Sequence, residues 1–222
     1  MHASYICRME NATKYAAEKW HQLTAFSKKE ELKTKLWNSI VDHYNEPYRF
    51  YHTLHHVASL FEKCEPYLSK LKSPATVGFA IIYHNVVYDT FKDNNEEESA
   101  ILARQHLSVL NIKEGIIKDV ETFILATKSH TLPEGFHLNN DLSIFLDLDL
   151  TILATTWDEY EIYSQQIRRE YRQYPDDLYN PGRKHALQKL SEKEFVYFTE
   201  PIKEVLEPVA RQNIFREIQL LS

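Results

Sequence analysis

The stretch Phe79-Ala-Ile-Ile-Tyr-His-Asn-Val-Val-Tyr-Asp-Thr90 constrains this chain more than any other. Wound at 3.6 residues per turn it is apolar on every side, which is the pattern of a helix buried all round, yet His84 and Asn85 lie mid-run and Asp89 near its end. Burying such groups without partners costs on the order of several kcal/mol. The rest of the chain must therefore supply a hydrogen-bond network or a metal. Ser73-Pro74, an N-cap residue followed by Pro at the first helical position, opens this helix, and its end is expected near Tyr88 to Thr90.

Only 4 Gly in 222 residues leave little room for the tight hairpins of an all-β protein. Long stretches at helical period predict an all-α bundle around the central buried helix. With no repeat, low-complexity tract or linker, a single domain over residues 1–222 is expected. The formal net charge of -6 argues against a broad surface for a nucleic-acid duplex, while a local basic pocket stays compatible with it. Cys7 and Cys64 are too few for a disulfide framework, and the N-terminus lacks the apolar core of a signal peptide. Since no apolar run approaches 18 residues, a soluble cytoplasmic protein with no membrane partner is expected.

Residues 1 to about 12 read as a tail, followed by a helix with Tyr15, Trp20 and Leu23 inward. Ser27-Lys-Lys-Glu30 has the form of a capping box before Leu32, Leu36, Ile40 and Tyr44 at four-residue spacing, and Asn45-Glu-Pro47 ends that helix. Asn95 with Glu98 forms a second capping-box candidate, opening a helix through Ile101, Leu102 and Leu107. The acids Glu96 to Glu98 suit the positive end of its dipole. Ile116, Val120, Phe123 and Ile124 mark the inner face of a helix from Ile112 to Thr127, and Leu132 to Asn139 reads as a loop. Thr156-Trp-Asp-Glu159 opens a helix with Tyr160, Ile162, Tyr163, Ile167 and Tyr171 inward. Asn180-Pro181 starts a short one, and Thr199-Glu-Pro201 begins the last, with Ile202, Leu206, Val209, Ile214 and Ile218 inward.

Two further stretches carry chemistry. Tyr48-Arg-Phe-Tyr-His-Thr-Leu-His-His56 brings three histidines within five residues ahead of a helix that Thr53 caps. The buried stripe of that helix is Val57, Leu60, Phe61, Cys64 and Leu68, and His56 borders it. His52 and His56 also have the i, i+4 spacing with which two imidazoles reach one metal, so the cluster alone fits either a metal site or a structural role. In Leu142-Ser-Ile-Phe-Leu-Asp-Leu-Asp-Leu-Thr-Ile-Leu153, Asp147 and Asp149 are embedded among large apolar residues. Two carboxylates buried there without a cation would force one to take up a proton or leave the segment unstable. Imidazole and carboxylate together suit a divalent transition metal.

The order of these motifs resembles the HD superfamily of metal-dependent phosphohydrolases. That signature is a His, then a His-Asp dipeptide on a central helix, then a distant Asp. More narrowly, Tyr51-His-Thr-Leu-His-His56, His84-Asn-Val-Val-Tyr-Asp89, Asn95-Glu-Glu-Glu-Ser-Ala100 and Asp147-Leu-Asp149 are similar to the motifs of its bacterial-type branch. Ile167-Arg-Arg-Glu-Tyr171 and Tyr179-Asn-Pro-Gly-Arg183 extend the likeness, which covers most of residues 48 to 190. The resemblance implies an HD-like helical bundle with His56, His84 and Asp149 as metal ligands, and Asp147 as second choice for the last. Position 85 departs from the pattern, because Asn85 stands where the family has its ligand Asp. An amide oxygen can coordinate a hard cation but brings no charge and cannot act as a base. By comparison with the stringent-response hydrolases of the same superfamily, Asp89 is implied as general base or water-orienting group. Lys128, His130, Arg168 and Arg183 are the candidates for substrate phosphate.

The expected activity is hydrolysis of a small phosphoester, a nucleotide among the candidates, with a divalent metal drawn from Mn, Fe, Mg, Co, Ni or Zn. The alternative is a catalytically impaired module of the same fold that binds nucleotide or metal, with Asn85 recording the loss of chemistry. A third is a helical interaction protein whose histidines belong to an ordinary core.

Overall fold

The computed structural model of the chain describes residues 2–136 and 140–221, with side chains from residue 11 onward. Among the described residues there are ten α-helices and no strand. They are α1 (His2–Leu23), α2 (Glu30–Tyr44), α3 (Leu54–Cys64), α4 (Pro74–Tyr83) and α5 (Asn95–Val109). After these come α6 (Glu114–Thr127), α7 (Asn140–Asp149), α8 (Trp157–Glu170), α9 (Asp176–Ser191) and α10 (Glu200–Leu220). Short 3-10 turns cover Glu65–Lys70 and Leu150–Ala154. The all-α expectation holds, and the chain divides into two compact units, Met1–Phe145 and Leu146–Ser222, with the division falling inside α7. No described helix is long and apolar enough to cross a membrane.

In the first unit α4 is the central element. Every residue from Thr76 to Tyr83 is buried, as the all-round apolar pattern requires, and α1, α3, α5 and α6 pack against it. Trp20 of α1 meets Phe79 and Tyr83 edge-on, with ring centroids 6.4 Å away in each case. Gly78 permits that close approach: a Cβ there would lie 2.8 Å from a methyl of Leu23. The N-terminus of α4 is held by Asp141, whose carboxylate accepts from the backbone N–H of Lys72 and Ser73 at 2.9 and 2.7 Å. Ser73 precedes Pro74 as expected, but its hydroxyl pairs with the Thr76 hydroxyl instead of capping.

α4 ends at Tyr83, short of the expected Tyr88 to Thr90, because side chains from elsewhere take the backbone groups of the next residues. Arg49 donates to the carbonyls of Asn85 and Val86 at 2.6 and 2.9 Å. The Ser99 hydroxyl bonds both the N–H and the C=O of Val87, and the Asn95 amide does the same for Asp89. Tyr44 donates to the Ile82 carbonyl at 2.8 Å. These bonds satisfy groups that a continued helix would have paired internally.

Other boundaries also differ. The expected N-terminal tail is helical from His2. α2 starts at Glu30 with no side-chain cap, and Ser27 accepts only from the Lys29 N–H, so that capping box does not form. α5 has Asn94 at its N-cap position, because Asn95 is turned toward Asp89. α9 starts at Asp176, ahead of the start expected at Asn180-Pro181, and contains Pro181. Leu68, Ile162 and Val209, expected on inner faces, are exposed. Of the expected loop at 132–139, residues 137–139 lie outside the described residues, and the remainder carries no helix.

In the second unit α10 packs on the turn Leu150–Ala154 and on α9. Its inner face carries polar groups with partners. Asn213 donates to the carbonyls of Leu153 and Thr155, and Glu217 accepts from Tyr160, Ser164 and Arg183. Burial alone would raise the Glu217 pKa, but the hydrogen bonds from Arg183, Tyr160 and Ser164 hold it below the usual carboxylate value. The Thr156 cap on α8 forms as read from the sequence.

Candidate metal centre

Thr53 starts α3 as an N-cap, its hydroxyl accepting from the His55 N–H. The next turn buries Leu54, His56, Val57 and Ala58. His56 is 6% exposed and His84, at the C-cap of α4, only 1%. Their Nε2 atoms face each other at 3.1 Å. Two donors about 2.1 Å from one ion stand about 3.0 Å apart at a right angle and about 3.4 Å apart at the tetrahedral angle, so the pair fits a shared cation. His84 Nδ1 donates to the Ile81 carbonyl at 3.0 Å, which leaves the Nε2 lone pair for the other side, an arrangement usual in metal-binding imidazoles. Phe145 meets the His84 ring edge-on at 5.7 Å and Tyr51 flanks His56 at 4.9 Å, which restricts both rings.

Asp149, the last residue of α7, completes the group. One ligand atom from each of His56, His84 and Asp149 lies within 4.8 Å of the other two, so the cluster could hold a metal ion. Two neutral imidazoles and a carboxylate are a donor set for a divalent transition metal. No other group of three or more His, Cys, Asp or Glu side chains with this closeness occurs among the described residues.

Asp147, the second choice, has another task. Both of its oxygens accept backbone N–H bonds at 2.7 Å, one from Phe198 and one from Thr199, at the N-terminus of α10. Complete burial pushes its pKa up to about 6, against the lowering effect of those two bonds. His52 likewise stays out of the three-residue group. It precedes α3, so the i, i+4 geometry of a helix does not apply, and its ring lies 4.4 Å from that of Tyr88.

Asn85 follows His84, half-buried, and its carbonyl is held by Arg49. Asp89 is outside the three-residue group: its Oδ1 accepts from the Phe91 N–H at 3.0 Å, and Lys92 Nζ stands 3.8 Å from Oδ2. The four expected phosphate-binding residues are placed as follows. Lys128 is exposed and bonds Glu97 at 2.6 Å and the Asp93 carbonyl. His130 is half-buried with a left-handed backbone at φ 47. Arg168 donates to Asp176 and to the carbonyls of Tyr171 and Tyr174, while Arg183 is held by Glu217 at 2.9 and 3.0 Å.

The residue that sequence reasoning passed over is Arg49. It is buried between the rings of Tyr44 and Tyr88, paired with Glu46, and bonded to the segment after His84. An arginine in an aromatic-rich stretch beside a histidine cluster was the available signal. Comparison of the chain with known protein families, curated proteins and solved structures returns no match. Fold and site together define an all-α protein with a His56-His84-Asp149 cluster able to hold a metal ion.

Proposed function

We propose that the chain is a metal-dependent phosphohydrolase of the HD type acting on a small phosphoester, with nucleotides among the candidate substrates. The observation that carries this reading is the buried pair of Nε2 atoms 3.1 Å apart, with Asp149 in the same cluster. A divalent ion there supplies Lewis-acid charge and lowers the pKa of a coordinated water. His56, His84 and Asp149 hold it, and the Ile81 carbonyl keeps His84 in the coordinating tautomer. Asp89 is the candidate proton acceptor, its backbone locked on both sides by Asn95.

Of the four basic candidates, Lys128 is the more available partner for a substrate anion. The Lys128–Glu97 pair is exposed, so water competes with it, whereas Arg183 is buried with Glu217 and breaking that pair would strand a charge. Arg168 is tied to two carbonyls as well as Asp176. Elemental analysis of protein purified without chelator tests the reading, followed by a screen of mononucleotides, cyclic nucleotides, alarmones and simple phosphoesters with Mn, Fe, Mg, Co, Ni and Zn. Bound metal that disappears in His84→Ala, with turnover of at least one ester, is expected. Metal-free wild type, or undiminished metal in His84→Ala, overturns it.

Asn85 favours a second reading, a binding module of the same fold that has lost hydrolysis, because an amide there cannot take a proton. Asn85→Asp separates the two. A large gain in phosphatase activity favours the impaired module, and a loss favours a site adapted to the amide.

A further inference from the structure

We propose that the cavity between α1, α3 and α4 binds a small neutral amphiphile, an apolar chain of roughly ten heavy atoms ending in a hydroxyl. All of its lining belongs to the first unit, so the proposal is independent of the metal reading. The cavity holds about 300 Å³, and its walls are mostly apolar, with Leu23, Phe61, Leu68, Ala75, Gly78 and Ile81 among them. An apolar cavity of about 150 Å³ stays dry and admits benzene, so twice that space takes roughly ten heavy atoms. Gln22, Glu65, Leu68 and Pro74 are exposed, which places the mouth on their side, while Phe61, Cys64, Gly78 and Ile81 form the buried wall.

The inner wall carries no charge. Cys64 is 3% exposed, its thiol has no hydrogen-bond partner among the described residues, and burial pushes its pKa up to about 11. A protonated thiol behaves as a small apolar group, so an alkyl chain can lie against it. At the rim stands an ion pair. Lys19 Nζ bonds Glu65, Tyr15 donates to the same carboxylate at 3.3 Å, and the Lys19 ammonium lies 5.9 Å from the centre of the Phe61 ring. The pair has no net charge. A ligand carboxylate would face Glu65 and a ligand ammonium would face Lys19, each giving up hydration to meet a like charge. A hydroxyl fits both, accepting from the ammonium and donating to the carboxylate. Gly78 keeps the space open. The Cβ of an alanine there would stand 2.8 and 2.9 Å from the two Leu23 methyls, and the Leu23 side chain, itself a wall of the cavity, can give way by turning into it.

The test is a methyl and amide NMR titration of the full chain with n-octanol, sodium octanoate and octylammonium chloride. The alcohol is expected to give saturable shifts at the methyls of Leu23, Leu68 and Ile81 and at the Gly78 amide, with the two charged probes weaker by roughly tenfold or more. Octanol shifts that do not saturate, or that spread evenly over exposed apolar residues such as Phe26 and Phe91, overturn the site. Equal affinity for either charged probe overturns the neutral head group. Gly78→Ala is expected to weaken octanol binding by roughly tenfold or more while the chain stays folded, since alanine suits a helix interior better than glycine. Unchanged affinity in the folded variant overturns the place assigned to the ligand. Cys64→Leu, which fills the cavity from its inner wall, carries the same expectation if Gly78→Ala does not fold. The ranking of the three probes on wild type needs neither variant.

Discussion

Asp147 and Asp149 lie two positions apart, one at the end of an N–H pair and the other in a histidine cluster. The Asp147 carboxylate accepts two charge-assisted bonds in full burial, so replacing one oxygen by an NH2 group sets donor against donor. Asp147→Asn is expected to lower stability by about 2–3 kcal/mol in urea unfolding, with metal content per folded chain unchanged. Asp149→Asn should remove most bound metal, read by elemental analysis of the folded chain. A loss of metal with Asp147→Asn, at unchanged stability, would show the assignment of the two aspartates to be inverted.

At the scale of elements, the segment from Asn85 to Asp89 is held by side chains from three other places and makes little regular structure of its own. Arg49, Ser99 and Asn95 each take two backbone groups of it. Asn95 and Ser99 belong to a stretch that reads in the sequence as a helix start with its acids. Their tertiary role is invisible there, since a capping residue and a tethering residue are the same residue types. Asn95→Ala should free both backbone groups of Asp89, a loss of about 1–2 kcal/mol of local stability. Native-state hydrogen exchange then reads roughly tenfold or greater acceleration at the Asp89 amide, with the amides of the α4 interior unaffected. Equal acceleration throughout α4 would mean that Asn95 supports the helix as a whole.

For the whole molecule, His106 sets a pH dependence of stability. Its ring is buried, Nδ1 shares a hydrogen bond with the Tyr83 hydroxyl at 3.1 Å, and burial, helped by His43, pushes its pKa down to about 4. The unfolded chain therefore takes up this proton first as the pH falls from 6.5. Stability from this group is level above that value and declines down to pH 4, by on the order of 3 kcal/mol in total. Glu217, held below its ordinary value of 4.5, loses its contribution only at lower pH. His106→Gln should flatten the slope of unfolding free energy between pH 6.5 and 4, measured by urea titration at each pH. An unchanged slope would assign the proton uptake to other groups.

The sequence by itself determined the all-helical class, the buried nature of α4 and the Thr53 and Thr156 caps, because periodicity and capping act within a few residues. It also singled out His56, His84 and Asp149 as a set, though nothing local could bring them together. What only the tertiary structure decided was where α4 stops, which of the two aspartates joins the histidine cluster, and that Arg49 holds the turn after His84. Each of those depends on hydrogen bonds across 6 to 52 positions of sequence, as between Asn95 and Asp89 or Asp147 and Thr199. Such bonds join a side chain to backbone groups that look alike everywhere along a chain, so folding alone selects which of them meet.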